Sequence, residues 1–207
     1  TIGNGSICFV ARDFSHSYVY GSMAFPEAKA AKLIIVWGKN DGNTALGAAE
    51  GIHWAKEHGA KLVVIDPVQT ALARKADIWL QIKPGHDGLL AMAMINEIIE
   101  NNLYDAPFVE QYTLGFAELR QVAARYPAES VAEQLWLQPE QIRELAHLYA
   151  STKPAAIIDG NGLDMHREVF DTTRAIAMLR ALTGNLDKPG GDVLPQPIPV
   201  RNIQLKE

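Results

Sequence analysis

One cysteine, Cys8, stands among 207 residues. That count excludes a disulfide within the chain and any zinc or iron–sulfur site needing several cysteines from this sequence alone. Positive charge is not in excess: 19 Lys and Arg against 24 Asp and Glu leave a net charge of −5, so the basic footprint of a nucleic-acid binder is missing. No apolar run reaches the ~18–20 residues that a membrane-spanning helix needs. No signal peptide is visible and the first residue is Thr1, so the expectation is a processed or excised piece of a longer protein, whose compartment its sequence does not reveal. Neither Gly-x-Gly-x-x-Gly nor a phosphate-binding Gly-x-x-x-x-Gly-Lys run occurs, which sets aside an ordinary nicotinamide-dependent dehydrogenase.

What remains is an ordinary globular composition, 48% hydrophobic and 21% charged, which excludes disorder. Residues 1–30 show no strong period and read as loop with one short helix. Regular alternation then begins. Leu33-Ile34-Ile35-Val36-Trp37 is wholly apolar, as a strand buried on both faces requires. Gly38–Asn43 ends it, a helix follows over about 44–58, and Gly59 stands where a C′ glycine belongs. Lys61–Ile65 is a second strand closed by Asp66-Pro67. A short helix near 71–75 leads to a third strand, Ile78–Ile82. Pro84–Gly88 is a turn, and a long helix runs on to about Asn101. Helices are expected near 106–112, 116–126, 130–135 and 139–150, the last with Pro139 at N1. Ala155–Ile158 is a further strand, Gly160-Asn161-Gly162 a turn, and 168–182 a helix. The proline-bearing tail beyond 191 reads as extended. This order predicts an α/β fold: an open, mostly parallel, Rossmann-like sheet with helices on both faces. The expected layout is a flanking region at 1–30, a dinucleotide-binding domain at 31–160 and a return segment at 161–207.

In such sheets ligands bind beyond the carboxyl ends of the strands, so the loops at 38–43, 66–70, 83–87 and 159–165 carry the candidate residues. Taken alone, each has a plain and a functional role open. Gly38 and its neighbours form either a tight turn or a backbone that approaches a phosphate. Asp66 is either a turn residue before Pro67 or an acceptor for ribose hydroxyls. Asp87 is either a helix cap or a carboxylate facing the N–H edge of guanine. Cys8 reads as a small buried hydrophobe unless something else speaks for it. Arg12 and Asp13 follow Cys8 closely and either line the same cavity or, as the plainer use, form a surface ion pair. His16, His53, His58, His147 and His166 are scattered without metal-ligand spacing and read as helix-surface or loop residues, while His86 sits within the candidate turn.

The ordered series of loops resembles one family. Leu33–Asn43, then Gly59–Pro67, Ala73–Asp77, Lys83–Ala91, Asn102–Asp105 with Phe108-Val109, Gly160–Gly162 and Leu182–Gly191 follow one another as in molybdopterin oxidoreductases of the dimethyl sulfoxide reductase family. The resemblance covers about residues 4–195. It implies a bis(molybdopterin guanine dinucleotide) cofactor carrying molybdenum or tungsten, with this chain holding one guanosine end. By position, Gly38, Lys39 and Asn40 would meet the diphosphate, Asp66 and Pro67 the ribose, Gly85, His86 and Asp87 the guanine, and Gly160, Asn161 and Gly162 the pterin side. Many relatives carry arginine after Asp-Pro where Val68 stands here, and Gln69 or Lys39 would take over its contact. Asn4–Cys8 resembles the segment that supplies the metal's protein ligand, so Cys8 is the implied catalytic and metal-binding residue. Formate dehydrogenases follow that ligand with histidine, and Phe9 here argues against formate. The family also implies an N-terminal iron–sulfur segment and a C-terminal barrel-like domain that this chain lacks, hence a fragment, inactive alone, whose partners are the remaining domains and an iron–sulfur electron-transfer subunit. The rival expectation is an electron-transfer scaffold without metal, similar to the large iron–sulfur subunit of respiratory complex I.

Overall fold

The structure is a computed structural model that describes residues 9–196. The first helix, α1 (Val10–Tyr20), precedes a two-residue strand, β1 (Phe25–Pro26), and the first long strand, β2 (Leu33–Trp37). A single helical turn, α2 (Asp41–Thr44), and the helix α3 (Leu46–Glu57) lead to β3 (Lys61–Ile65) and β4 (Ile78–Leu80). Five helices follow: α4 (Asp87–Glu100), α5 (Ala106–Tyr112), α6 (Phe116–Ala123), α7 (Ala128–Leu135) and α8 (Pro139–Ser151). The chain ends on β5 (Ala155–Asp159), α9 (Val169–Leu182) and β6 (Asp192–Val193).

Four strands form a parallel sheet in the order β4-β3-β2-β5. Leu33 pairs with Lys61 on one side and Ala155 on the other, and Trp37 with Ile65 and Asp159. All five side chains of β2 are buried because the sheet is covered on both faces. Leu33, Ile35 and Trp37 point into the larger core, with α4, α8 and α9. Ile34 and Val36 point the other way, onto Ile52 and Ala55 of α3. Strand periodicity thus divides one apolar run between two cores.

The predicted boundaries shift where local chemistry intervenes. The helix expected from residue 44 starts at Leu46, because Ala45 is extended (φ −150°) and separates α3 from the turn α2. Gly59 has φ +94°, the left-handed C′ conformation expected of it. The third strand stops at Leu80, two residues early. Helix α7 begins at Ala128 rather than 130, and α6 stops at Ala123 rather than 126. Helix α8 carries Pro139 at N1 and a capping box between Gln138 and Gln141. The segment read as loop with one short helix contains an eleven-residue helix, α1, packed along α9. At the start of the tail read as extended, Asp192-Val193 forms β6 and pairs antiparallel with β1, while residues beyond 196 lie outside those described.

Candidate functional site

The carboxyl ends of β2, β3, β4 and β5 bring the four candidate loops together. Backbone hydrogen bonds continue the sheet into them: Gly38 N donates to Ile65 O at 2.9 Å, Gly160 N to Trp37 O at 2.8 Å, and Gly162 N to Gly38 O at 2.9 Å. Strand order reverses between β2 and β5, the place where such sheets open a crevice. Here the two loops lie in direct contact instead. A methyl group on Gly160 would fall 2.7 Å from Lys39 Cα, and one on Gly162 would fall 2.7 Å from Gly38 O. Gly38 has φ +59°, and a methyl there would press on Leu163 at 3.3 Å. Close packing of the protein on itself accounts for these three glycines.

The more open part of the edge lies toward β3 and β4, where Val68, Gln69, Pro84 and Gly85 are exposed. Asp87 is 7% exposed, and its Oδ1 accepts a hydrogen bond from Trp37 Nε1 at 2.8 Å. The cap expected of it is not made: His86 is the N-cap residue of α4 without a side-chain cap bond, and Asp87 is the first helical residue, turned toward the indole. Burial raises its proton affinity above the ordinary carboxylate range, against the lowering by the Trp37 hydrogen bond and by the nearby His166. His166 reaches this point from the loop after β5 and lies against the turn at Gly85, which has φ +78°. The negative charge of Asp66 adds a smaller push on Asp87 in the same direction as burial. Asp66 Oδ1 accepts from Val68 N at 2.8 Å, so the expected turn role is real. Partial burial raises its pKa despite that bond. Pro67 O accepts from Gln81 Nε2 and Gln69 O from Arg74 Nη1, while the Gln69 residue itself is exposed. His86 Nδ1 lies 3.1 Å from Pro84 O.

On the loop after β2, Lys39 Nζ stands 3.3 Å from Asp41 Oδ1. Both Asp41 oxygens and Asn40 Oδ1 are buried without a hydrogen-bond donor among the described residues. Lys39 is the cationic side chain of this loop. Cys8 lies outside the described residues. Among those described, no group of three His, Cys, Asp or Glu side chains could hold a metal ion.

Behind the edge lies a buried charge cluster that the sequence reading missed. Arg12, expected at the surface, is 5% exposed. Its Nε donates to Asp164 Oδ2 at 3.0 Å, its Nη1 to Asp159 O at 2.6 Å, and its Nη2 to Asn161 Oδ1. His16, expected in a loop or on a helix surface, is fully buried, with Nε2 3.5 Å from Asp159 Oδ2. Burial lowers its pKa, against the Asp159 hydrogen bond. Arg180 Nη2 donates to Asp159 Oδ2 at 3.0 Å, and its Nε lies 3.1 Å from Asp192 Oδ1. Burial acts to raise the proton affinity of Asp159, but Arg180, the His16 hydrogen bond and Arg12 overcome it, so this carboxyl is held far below the usual range. Asp192 moves the other way. Burial lifts it to about 6, and Arg180 only partly offsets that. The partners explain the split: Arg180, Arg12 and His16 all approach the Asp159 carboxylate, whereas Asp192 has Arg180 and the Ile157 amide. One signal was legible in the sequence. Arg180 falls four residues after Ile176 and three after Ala177, on the buried stripe of α9.

Known proteins match this chain. The family model for molybdopterin oxidoreductases matches residues 3–196. Acetylene hydratase of Syntrophotalea acetylenica is 34% identical over 93% of this chain and 27% of its own length. Formate dehydrogenase H of Escherichia coli (strain K12) is 38% identical over 84% of this chain and 24% of its own. The solved structure of acetylene hydratase from Pelobacter acetylenicus matches with a TM-score of 0.85 at 33% identity, covering 87% of this chain and 25% of that one. The chain thus spans about a quarter of the length of these relatives. A hydratase and a formate dehydrogenase at similar identity do not select a substrate. With the family model matched along almost its whole length, and with its fold matched by a solved relative, this chain belongs to the molybdopterin oxidoreductase family.

Proposed function

We propose that this chain holds one guanine dinucleotide end of a bis(molybdopterin guanine dinucleotide) cofactor within a larger oxidoreductase, and that Cys8 supplies the protein ligand to its molybdenum or tungsten. The observation that carries the reading is Asp87. It is a buried carboxylate at the open part of the sheet edge, oriented by the Trp37 indole and in need of donors because burial has raised its proton affinity. Guanine offers N1–H and N2–H together, which a carboxylate can accept as a pair. Adenine offers no such pair. In this reading Asp66 at the end of β3 accepts a ribose hydroxyl and Lys39 is the cation for the diphosphate. When bound, the pterin dithiolenes hold a metal that changes oxidation state, while the protein contributes binding, orientation and electrostatics. An iron–sulfur cluster elsewhere in the parent and an electron-transfer subunit belong to the same proposal, and the 207-residue chain alone is expected to turn over no substrate.

The test is cofactor occupancy in the intact enzyme. Charge-assisted hydrogen bonds of this kind are worth roughly 1.5–3 kcal/mol, so Asp87→Asn and Asp87→Ala should each lower guanine nucleotide released per protein, measured by chromatography after acid treatment. Wild-type occupancy in both variants would remove guanine recognition from Asp87. Metal analysis of the anaerobically purified protein separates this reading from a scaffold without metal: a stoichiometric pterin metal supports the enzyme, and none supports the scaffold.

A further inference from the structure

Asp87 is met by groups from three other strand ends: Trp37 at the end of β2, Asp66 after β3 and His166 after β5. The last of these is a ring with no structural partner. His166 follows the turn Leu163–Met165 on extended backbone, with φ −120° and ψ 160°. The turn itself is pinned. Leu163 N donates to Gly160 O at 3.1 Å, Asp164 N donates to Asn161 O at 3.0 Å, and the buried Asp164 carboxylate pairs with Arg12 Nε at 3.0 Å. The half-buried imidazole is thereby laid against the turn before α4. A methyl group on Gly85 would fall 3.2 Å from His166 Nδ1 and 3.6 Å from its Cε1 and Cγ, so the ring borders the space that a side chain at position 85 would need. His166 is near enough to lower the proton affinity of Asp87, yet its ring makes no hydrogen bond or ion pair among the described residues. The neighbouring ring N–H groups differ in this respect. Trp37 Nε1 is spent on Asp87 Oδ1 at 2.8 Å, and His86 Nδ1 lies 3.1 Å from Pro84 O.

The chemistry of the base asks for such a group. The edge of guanine presents two donors, N2–H and N1–H, followed by an acceptor, O6. An ionised carboxylate only accepts, so Asp87 can serve the two donors and not O6. An imidazole carries at least one N–H in either protonation state. We infer that His166 is a second base-reading residue, whose ring N–H donates to O6 of the guanine that Asp87 accepts from. The inference rests on the proposed guanine site and deepens it. An amino group in the place of O6 would set a donor against that N–H, so the choice of base no longer depends on Asp87 alone.

The test uses the intact, cofactor-loaded enzyme and needs no turnover. Loss of guanine nucleotide is followed by filtration and by chromatography after acid treatment, in urea below the unfolding transition that circular dichroism defines for each variant. His166→Phe keeps a ring over Gly85 but has no N–H, and losing one hydrogen bond of ordinary strength should speed release roughly three- to tenfold. His166→Leu, which also lacks a donor, takes its place if the phenylalanine variant does not fold. His166→Gln restores an amide N–H and should stay within about twofold of wild type. A donor-less variant that releases at the wild-type rate, or a glutamine variant that releases as fast as the donor-less one, overturns the inference. Asp87→Asn in the same assay keeps two failures apart. Faster release from Asp87→Asn beside a wild-type rate from His166→Phe rejects His166 and leaves the guanine site standing, whereas wild-type rates from both reject the guanine site itself.

Discussion

Replacing Arg180 by methionine is the sharpest test of the buried cluster. Methionine fills most of the volume of the arginine stem, so packing changes little and the loss is electrostatic. Arg180 is 1% exposed and serves Asp159 and Asp192, with a further bond to Ile157 O at 3.1 Å. Without it, Asp159 keeps Arg12 at 3.4 Å and His16. Asp192 keeps only the Ile157 amide at 3.1 Å among the described donors. Breaking a buried ion pair from one side typically costs 3–5 kcal/mol. An escape route limits that cost, since Asp192 can take up a proton. Neutralising a carboxyl of ordinary pKa at pH 7 costs about 4 kcal/mol, and in the wild type burial has already lifted Asp192 to about 6. The expected loss is therefore about 3 kcal/mol at pH 7. At pH 5 it should be smaller, because wild-type Asp192 is then largely protonated and has less ionic contact to lose. Urea unfolding followed by circular dichroism at both pH values measures this. A loss under about 1 kcal/mol at pH 7 would mean that Arg180 compensates no buried charge, and the same loss at both would mean that Asp192 has no part in it; either result refutes the reasoning. The double variant Arg180→Met/Asp192→Asn should recover part of the loss.

Asp192→Asn alone should be neutral or stabilising above pH 6. The raised pKa of this group means that the wild type loses stability as pH climbs from about 4 toward about 6, and a melting curve against pH should lose that slope in the variant. Asp159 has the opposite sign: its carboxyl is held low, so its stabilisation is full above the ordinary carboxylate range and fades as acid is added below it, and Asp159→Asn should flatten the acid limb of the same profile. Trp37→Phe removes the indole donor to Asp87 and should cost about 1–3 kcal/mol through an unsatisfied buried acceptor; the same stability as wild type would show that the bond at 2.8 Å contributes nothing net. Gly160→Ala drives a methyl group into Gly38 and Lys39 and should cost about 1–3 kcal/mol or more as overpacking, and an unchanged melting temperature would mean that the two loops separate without penalty.

The layered α/β architecture and its ligand-bearing edge were legible in the residues, because both rest on local signals. A strand covered on two faces must be apolar throughout, and LIIVW at 33–37 is. A helix that ends beside water needs a left-handed residue, and Gly59 supplies it at φ +94°. The candidate loops were found for the same reason, since each follows a strand whose end the sequence marks with Gly, Asp or Pro. The tertiary structure alone decided what lies behind that edge. Arg12 and Asp164 are 152 residues apart and share no local signal, yet they meet because α1 packs along α9 and the loop after β5 folds over its start. The pleat of β5 turns Asp159 toward the same core as Ala155 and Ile157, where a charge survives only with partners that distant segments bring. Asp87 shows the limit most plainly. Its position at the head of a helix suggested a cap, but its rotamer was set by an indole fifty residues earlier in the chain. Residue type and spacing determine which elements form. The partner of a buried charge is determined by which elements pack together, because burial makes the charge's cost depend on what surrounds it in space.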